Sequence, residues 1–436
     1  MLITDKNKGS GIVINSKQSH SVTPVDLWVG IDAGSTQTRV CIADLSERAV
    51  LTAENAPHRV LEKLENCMYV IPSTYAVVPD EREIRPMSEN IEDNYDSHII
   101  RVRTKAVEPM VNNDRIVRGR KITDASGLVP RFFDSSSNKM ENSIFYTNVI
   151  DSIGYAILQK YSGKIPEAVR IHMVLSVRPQ ELETICIEKM DSNFIGEFVF
   201  RWGDVNIRMH FVRTIYTTEP EAQLNGYTAI MNLRAAALND EDCLEMAEKL
   251  NNGDTFIHIE GGGSSIGVEV NKDGELRGAC STTFQLGGNY LIRVIRNRLR
   301  SIKGRNISED SVQNAIQSCV LKNGREREDI SSVIADCKND VGLQIFEQLR
   351  HDVIDTQGDI YLTDMDFITL GGRLFREDDC GNSIAYYFGE YVKQVSPNTE
   401  IIVLKDNYIP QGNLVKAVLQ LDAPEEHIEE VVGGAE

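Results

Sequence analysis

Leu27 to Asp44 reads LWVGIDAGSTQTRVCIAD, and its meaning decides the fold. Apolar and β-branched residues on either side of Asp32-Ala33-Gly34-Ser35-Thr36-Gln37-Thr38-Arg39 predict two strands joined by a Gly/Ser/Thr turn. Small residues let the N–H groups of such a turn approach an anion without side-chain obstruction. Ser35, Thr36 and Thr38 add hydroxyl donors and Arg39 a fixed positive charge, a set suited to the β- and γ-phosphates of a nucleotide. Asp32, at the strand end, can hold Mg²⁺ through its waters. Taken alone, the stretch fits an ordinary glycine hairpin equally well.

The same pattern returns downstream. Glu260-Gly261-Gly262-Gly263-Ser264-Ser265 follows a predicted strand at Phe256 to Ile259 and precedes another at Ile266 to Val270. Three successive glycines contribute no packing surface and cost folding entropy, so a closely approaching ligand explains them better than a flexible loop does. Gly371-Gly372 follows the apolar run Phe367 to Leu370, as at a strand-to-helix turn where a nucleoside lies against bare backbone. Gln285-Leu286-Gly287-Gly288-Asn289 forms a fourth loop, with a helix expected from Tyr290.

Between these loops strands and helices alternate, which predicts α/β architecture. Ile71 to Val78 reads as one short strand bounded by prolines, and Glu141 to Tyr161 as a helix with Ile144, Phe145, Val149, Ile153, Ile157 and Leu158 on one face. Val169 to Val177 is an apolar strand, Phe198 to Ile215 a strand pair around Trp202-Gly203-Asp204, and Glu219 to Met231 the start of a helix with Pro220 in its first turn. The expected organisation is an N-terminal arm over 1–25, a first domain over 26–215 with a small inserted lobe near 79–134, a second over 216–422 with a helical insertion near 289–362, and an acidic tail over 423–436. Two copies of one hairpin unit imply a duplicated pair with a cleft between.

Composition narrows the class. The 436 residues are 41% hydrophobic and carry a net charge of −19, from 46 Lys+Arg against 65 Asp+Glu, so most of the surface should repel nucleic acid. Arg293 to Arg305 (RVIRNRLRSIKGR) is a local exception that also suits the solvated side of an amphipathic helix. Eight scattered cysteines without a CxxC pair argue against a zinc site or a disulfide scaffold. With no apolar run of membrane-span length and no apolar leader, a cytoplasmic setting without membrane contact is expected.

The order of segments resembles the actin and heat-shock-chaperone ATPase superfamily: DAGSTQT, TEPEAQLNGY, EGGGSS, QLGGNY and TLGGRLF, over about Trp28 to Phe375. Within it, the strand ending at Arg178-Pro179 and the hairpin before the connecting helix resemble the bacterial ParM-type plasmid-segregation actins. The resemblance implies an actin-like, ribonuclease-H-like pair of duplicated domains flanking a nucleotide cleft, with ATP and Mg²⁺ as ligands. It makes Asp32 and Glu260 the metal-side carboxylates and Glu219 the residue that orients or deprotonates the attacking water. Gly34, Ser35, Thr36 and Arg39 would cradle phosphate with Gly262, Gly263 and Ser264, Gly371 and Gly372 would border the adenosine, and Thr38, Gly261, Gly287 and Gly288 complete the expected nucleotide-binding set. Polymerisation coupled to hydrolysis is implied, with a DNA-binding adaptor if the cargo is a plasmid. Glu260 departs from the family's usual Asp, and Asn232 to Asp254 is a longer acidic insertion than usual. GTP in place of ATP, a monomeric kinase, a chaperone-like regulatory ATPase and a nucleotide-gated scaffold remain open alternatives.

Overall fold

The computed structural model describes residues 23–421 except 54, 80–90, 92–94, 106–109, 112, 120–121, 123–126, 132–137, 185, 252–254, 274, 278–280, 305, 324–325, 358–359 and 378–379. The first hairpin is β1 (Val25–Ala33) and β2 (Gln37–Asp44), followed by helices α1 (Leu45–Leu51) and α2 (Pro57–Asn66). Asp44 caps α1 in a reciprocal capping box with Glu47, which ends β2 and starts the helix in one step. The segment expected as one strand at 71–78 is two, β3 (Met68–Pro72) and β4 (Tyr75–Val78). Then come β5 (Asp96–Thr104), β6 (Asp114–Arg118), α3 (Ser143–Lys160), β7 (Ala168–Val177), α4 (Pro179–Thr184), α5 (Ile187–Phe194), β8 (Gly196–Trp202) and β9 (Val205–Thr218).

These strands form one nine-stranded sheet in the order β3-β2-β1-β7-β9-β8-β5-β6-β4. β3 and β4 are consecutive in the chain yet stand at opposite ends of the sheet, so the sheet must curl. The curl explains α3. Its periodicity predicts one buried face, but the helix is buried continuously from Phe145 to Leu158. Gly154 is needed there because a Cβ would lie 2.5 Å from the Phe200 ring of β8. Asp151, in the same helix, accepts from Ser97 of β5 (2.6 Å) and from Arg118 Nε of β6 (2.5 Å), and both charged side chains are fully buried. Strands from residues 96 to 118 are therefore hydrogen-bonded into this sheet and pinned to its enclosed helix.

The second half opens with α6 (Glu219–Leu238), which starts at Glu219 as expected, and α7 (Glu241–Asn251), which together take up the acidic segment 232–251. Next are β10 (Phe256–Gly261), β11 (Ile266–Lys272), β12 (Glu275–Leu276), β13 (Thr282–Phe284), α8 (Gly288–Lys303), α9 (Glu309–Ser318), β14 (Val320–Asn323), β15 (Glu326–Asp329) and α10 (Ser331–Leu349). β16 (Phe367–Gly371), α11 (Ile384–Val395), β17 (Glu400–Val403) and α12 (Ile409–Gln420) complete it. The second sheet runs β12-β11-β10-β16-β17. Its pairings repeat those of β3-β2-β1-β7-β9: an antiparallel hairpin, then two parallel neighbours. That repeat is duplication written in hydrogen bonds.

Two helices join the halves. Trp28 and Val174 of the first sheet pack with Leu414, Ala417 and Val418 of α12, while Phe256 and Phe367 of the second pack with Tyr227 and Ile230 of α6. The helices cross at Gly226 and Gly412, where a Cβ on Gly226 would sit 2.8 Å from Gly412 N. Trp28 Nε1 donates to Leu421 O at 2.6 Å and fixes the end of α12.

Three cations of the basic stretch are paired: Arg298 with Asp340 at 2.7 Å, Arg296 with Glu309 and Lys303 with Glu328. The cysteines hold one surprise for a reading from spacing: Cys319 and Cys380 form a disulfide, with Cα atoms 5.3 Å apart. Packing of α9 and β14 beside the approach to α11 brings them together, so no short-range pattern announces the pair. Among the described residues, no helix is long and apolar enough to cross a membrane.

Candidate functional site

The two glycine turns have the same local construction. In the first, Asp32 pairs with Arg39 and Ala33 with Thr38, and Gly34 N donates to Gln37 O at 3.1 Å. In the second, Glu260 pairs with Gly267 and Gly261 with Ile266, and Gly262 N donates to Ser265 O at 2.9 Å. Asp32 and Glu260 thus hold equivalent places one residue before the end of their strands. The turns also face each other: a Cβ on Gly263 would stand 3.5 Å from Ser35 Oγ.

α6 delivers Glu219 to the same place. Pro220 packs on Gly267, where a Cβ would be 2.8 Å from Pro220 Cγ, and Gly267 is the register partner of Glu260. Thr218 caps the helix by accepting from Glu221 N, so Glu219 sits in its first turn. Lys139 Nζ lies 2.5 Å from Glu219 Oε1, and Lys139 N donates to Glu181 Oε1 at 3.0 Å. Arg178 completes this group by pairing with Glu181. Burial would lower the Lys139 ammonium, but Glu219 and Glu181 outweigh it and its pKa is raised.

Ser35 is half-buried with its hydroxyl beside the opposed turn, and Thr36 is exposed. Thr38 points inward, its hydroxyl 3.0 Å from Ser73 Oγ, because strand alternation turns it away from the exposed Gln37. Ser73 in turn donates to Gly34 O at 2.7 Å and braces the first turn. Arg39 is paired with Asp32 at 3.0 Å, and Asn407 Nδ2 donates to the same Asp32 oxygen at 3.1 Å.

The fourth loop closes on the second turn. Gly288 N donates to Gly262 O at 3.1 Å and Asn289 N to Gly263 O at 2.6 Å. The first N–H groups of α8 are therefore spent on the carbonyls of the turn, and Gly287 and Gly288 act as its support. Gly371 and Gly372 make room for Glu260: a Cβ on either would lie 2.5 Å from one of its carboxylate oxygens. Gly372 also has φ +87°, a conformation that favours glycine.

Glu260 is buried, and its Oε2 has no hydrogen-bond partner among the described residues. Burial first, then the nearby Glu219 and Asp32 charges, push its carboxyl well above the ordinary range. His258, on the same strand face, is lowered to about 3 by burial and contacts Thr369 Oγ1 at 2.7 Å. Among the described residues no group of three His, Cys, Asp or Glu side chains gathers as a metal-ligand set. Mg²⁺ is commonly held by one or two carboxylates plus waters and phosphates, so Asp32 and Glu260 fit that cation, and the orphaned Glu260 oxygen is an atom a cation would satisfy.

Lys139, Arg178, Glu181, Gln223 and Asn407 were not foreseen as residues of this site, although Arg178 was noted as the end of its strand. Gln223 lies inside the quoted TEPEAQLNGY segment, but nothing in the spacing of the others links them to the turns.

The structure has the actin-like fold. It superposes on Ta0583, an archaeal actin homologue, with a TM-score of 0.57 and 13% identity, covering 90% of this chain and 98% of that one. A ParM from a 15-stranded filament of Clostridium botulinum gives a TM-score of 0.57 and 13% identity over the same shares, 90% and 98%. The Bacillus thuringiensis ParM solved with ATP gives 0.52 and 12%, again covering 90% and 98%. No protein-family model and no curated protein sequence matches the chain.

Proposed function

We propose that this chain binds ATP with Mg²⁺ between its two glycine turns, hydrolyses it, and uses the cycle to assemble a cytoplasmic filament. The observation that carries the reading is the approach of Ser35 to Gly263, with Asp32 and Glu219 each close enough to act electrostatically on Glu260. Bound Mg²⁺ would supply charge neutralisation on the phosphates. The turns contribute unobstructed N–H groups and the Ser35, Thr36 and Ser264 hydroxyls. Glu219 aligns water with the scissile bond, and Lys139 holds that carboxylate in place. Filament formation draws support from solved relatives, among them the Clostridium botulinum ParM filament. If the cargo is a plasmid, an adaptor must contact the DNA, because a net charge of −19 disfavours direct binding.

A second reading, an ATP-gated scaffold with little turnover, is favoured by one observation: Glu260 is buried with an unpartnered oxygen where Asp is the family's habit. Light scattering and negative-stain microscopy with ATP, ADP and a non-hydrolysable ATP analogue, beside single-turnover phosphate release, test both. Filaments with phosphate release support the first reading, and filaments without release the second. Absence of filaments with every nucleotide overturns both.

A further inference from the structure

We propose that Asn407, held from both sides by Gln223, is the positioning residue that orients the Asp32 carboxylate toward the cation. This rests on the nucleotide reading above and adds residues outside the glycine turns. Asn407 lies in the link between β17 and α12. Its Nδ2 donates to Asp32 Oδ2 at 3.1 Å, and its Oδ1 accepts from Ile409 N at 3.0 Å. The second bond fixes the first, since an inverted amide would set N–H₂ against N–H and oxygen against carboxylate.

Gln223 locks the backbone around this residue. Its Nε2 donates to Asp406 O at 2.9 Å and its Oε1 accepts from Tyr408 N at 2.7 Å, again a pairing that only one amide orientation allows. The side chain is fully buried, and its Cγ lies 3.1 Å from where a Cβ of Gly371 would stand. Helix α6 therefore carries Glu219 and, one turn on, the clamp on the link that reaches Asp32. Arg39 and Asn407 converge on a single oxygen, Oδ2. Two donors on one oxygen set the plane of a carboxylate and direct its other oxygen, as outer partners of metal ligands commonly do.

The test titrates Mg²⁺ into the full chain with a fluorescent ATP analogue, alongside the same binding measured in EDTA. Asn407→Asp keeps the acceptor for Ile409 N and replaces the donor facing Asp32 with a second carboxylate. The expected result is a rise of roughly 10-fold or more in the Mg²⁺ concentration at half-saturation. Affinity in EDTA should stay within about 2-fold, because the positioning acts through the cation. Gln223→Met, which removes both bonds to the link without adding a charge, should shift the midpoint in the same direction and serves if the first variant does not fold. An unchanged Mg²⁺ midpoint, or an equal loss with Mg²⁺ and EDTA, overturns the positioning role and leaves the nucleotide reading standing. A parent chain whose binding ignores Mg²⁺ overturns both.

Discussion

Lys139 and Glu219, 80 residues apart, meet in an ion pair of 2.5 Å at the start of α6. The lysine is almost wholly buried, its ammonium is held charged by both Glu219 and Glu181, and its backbone N–H donates to Glu181 as well. Glu219→Gln should lower single-turnover phosphate release by roughly 10²- to 10⁴-fold while leaving nucleotide affinity nearly intact. Lys139→Met should slow the same step by about 10-fold or more, and Lys139→Arg should recover part of it. Rapid-quench hydrolysis beside equilibrium binding separates the two effects. Full-rate hydrolysis by Glu219→Gln would remove that residue from the chemistry.

The facing turns give a second prediction. Gly263→Asp places a carboxylate opposite Ser35, in the gap assigned above by proposal to the triphosphate. Like charge and lost space should weaken ATP binding by at least about 10-fold with little change in melting temperature, because the position is exposed. Isothermal titration calorimetry and a thermal melt decide it; unchanged affinity would put the nucleotide elsewhere.

Inside the curled sheet, Arg118 and Asp151 form a fully buried pair backed by Ser97, Asn148 and the Pro72 carbonyl. Arg118→Met strands a buried carboxylate and should cost about 3–5 kcal/mol. Replacing both, with Asp151→Leu, should recover part of that loss. Urea unfolding of the single and double variants measures the difference.

Glu269 shapes the stability profile between pH 4.5 and about 8. Burial, opposed by the Thr218 hydroxyl, lifts its carboxyl to about 8 from 4.5. A raised folded-state pKa means the native protein holds the proton more tightly than the unfolded chain does. The resulting stabilisation is complete below 4.5 and declines as pH climbs through about 8. His258 behaves oppositely: lowered to about 3 from 6.5, it contributes above 6.5 and is lost as pH falls toward 3. Glu269→Gln should flatten the decline between pH 5 and 8 by on the order of a few kcal/mol, read from urea midpoints across that range. An identical decline in the variant would rule out Glu269 as its source.

The glycine turns were legible because backbone needs are local: a tight turn with no side-chain obstruction announces itself in a few residues. The roles of individual turn residues were less legible. Thr38 carries the right hydroxyl, but one step of strand alternation sends it to Ser73, and Arg39 is occupied by Asp32. Gly371 and Gly372 also leave room for the Glu260 carboxylate, a close approach that no local pattern announces.

The amino-acid sequence alone determined the two-hairpin plan, the α/β alternation and the carboxylates at the strand ends, since each follows from patterns within one element. Tertiary structure decided the curl that buries α3 on every side, the Cys319–Cys380 bond, and the Lys139 and Asn407 contacts to the site. Those depend on residues up to 375 positions apart, and a partner that distant leaves no periodicity behind. Side-chain chemistry becomes function here only after packing settles which polar groups are already taken and which are left facing the gap.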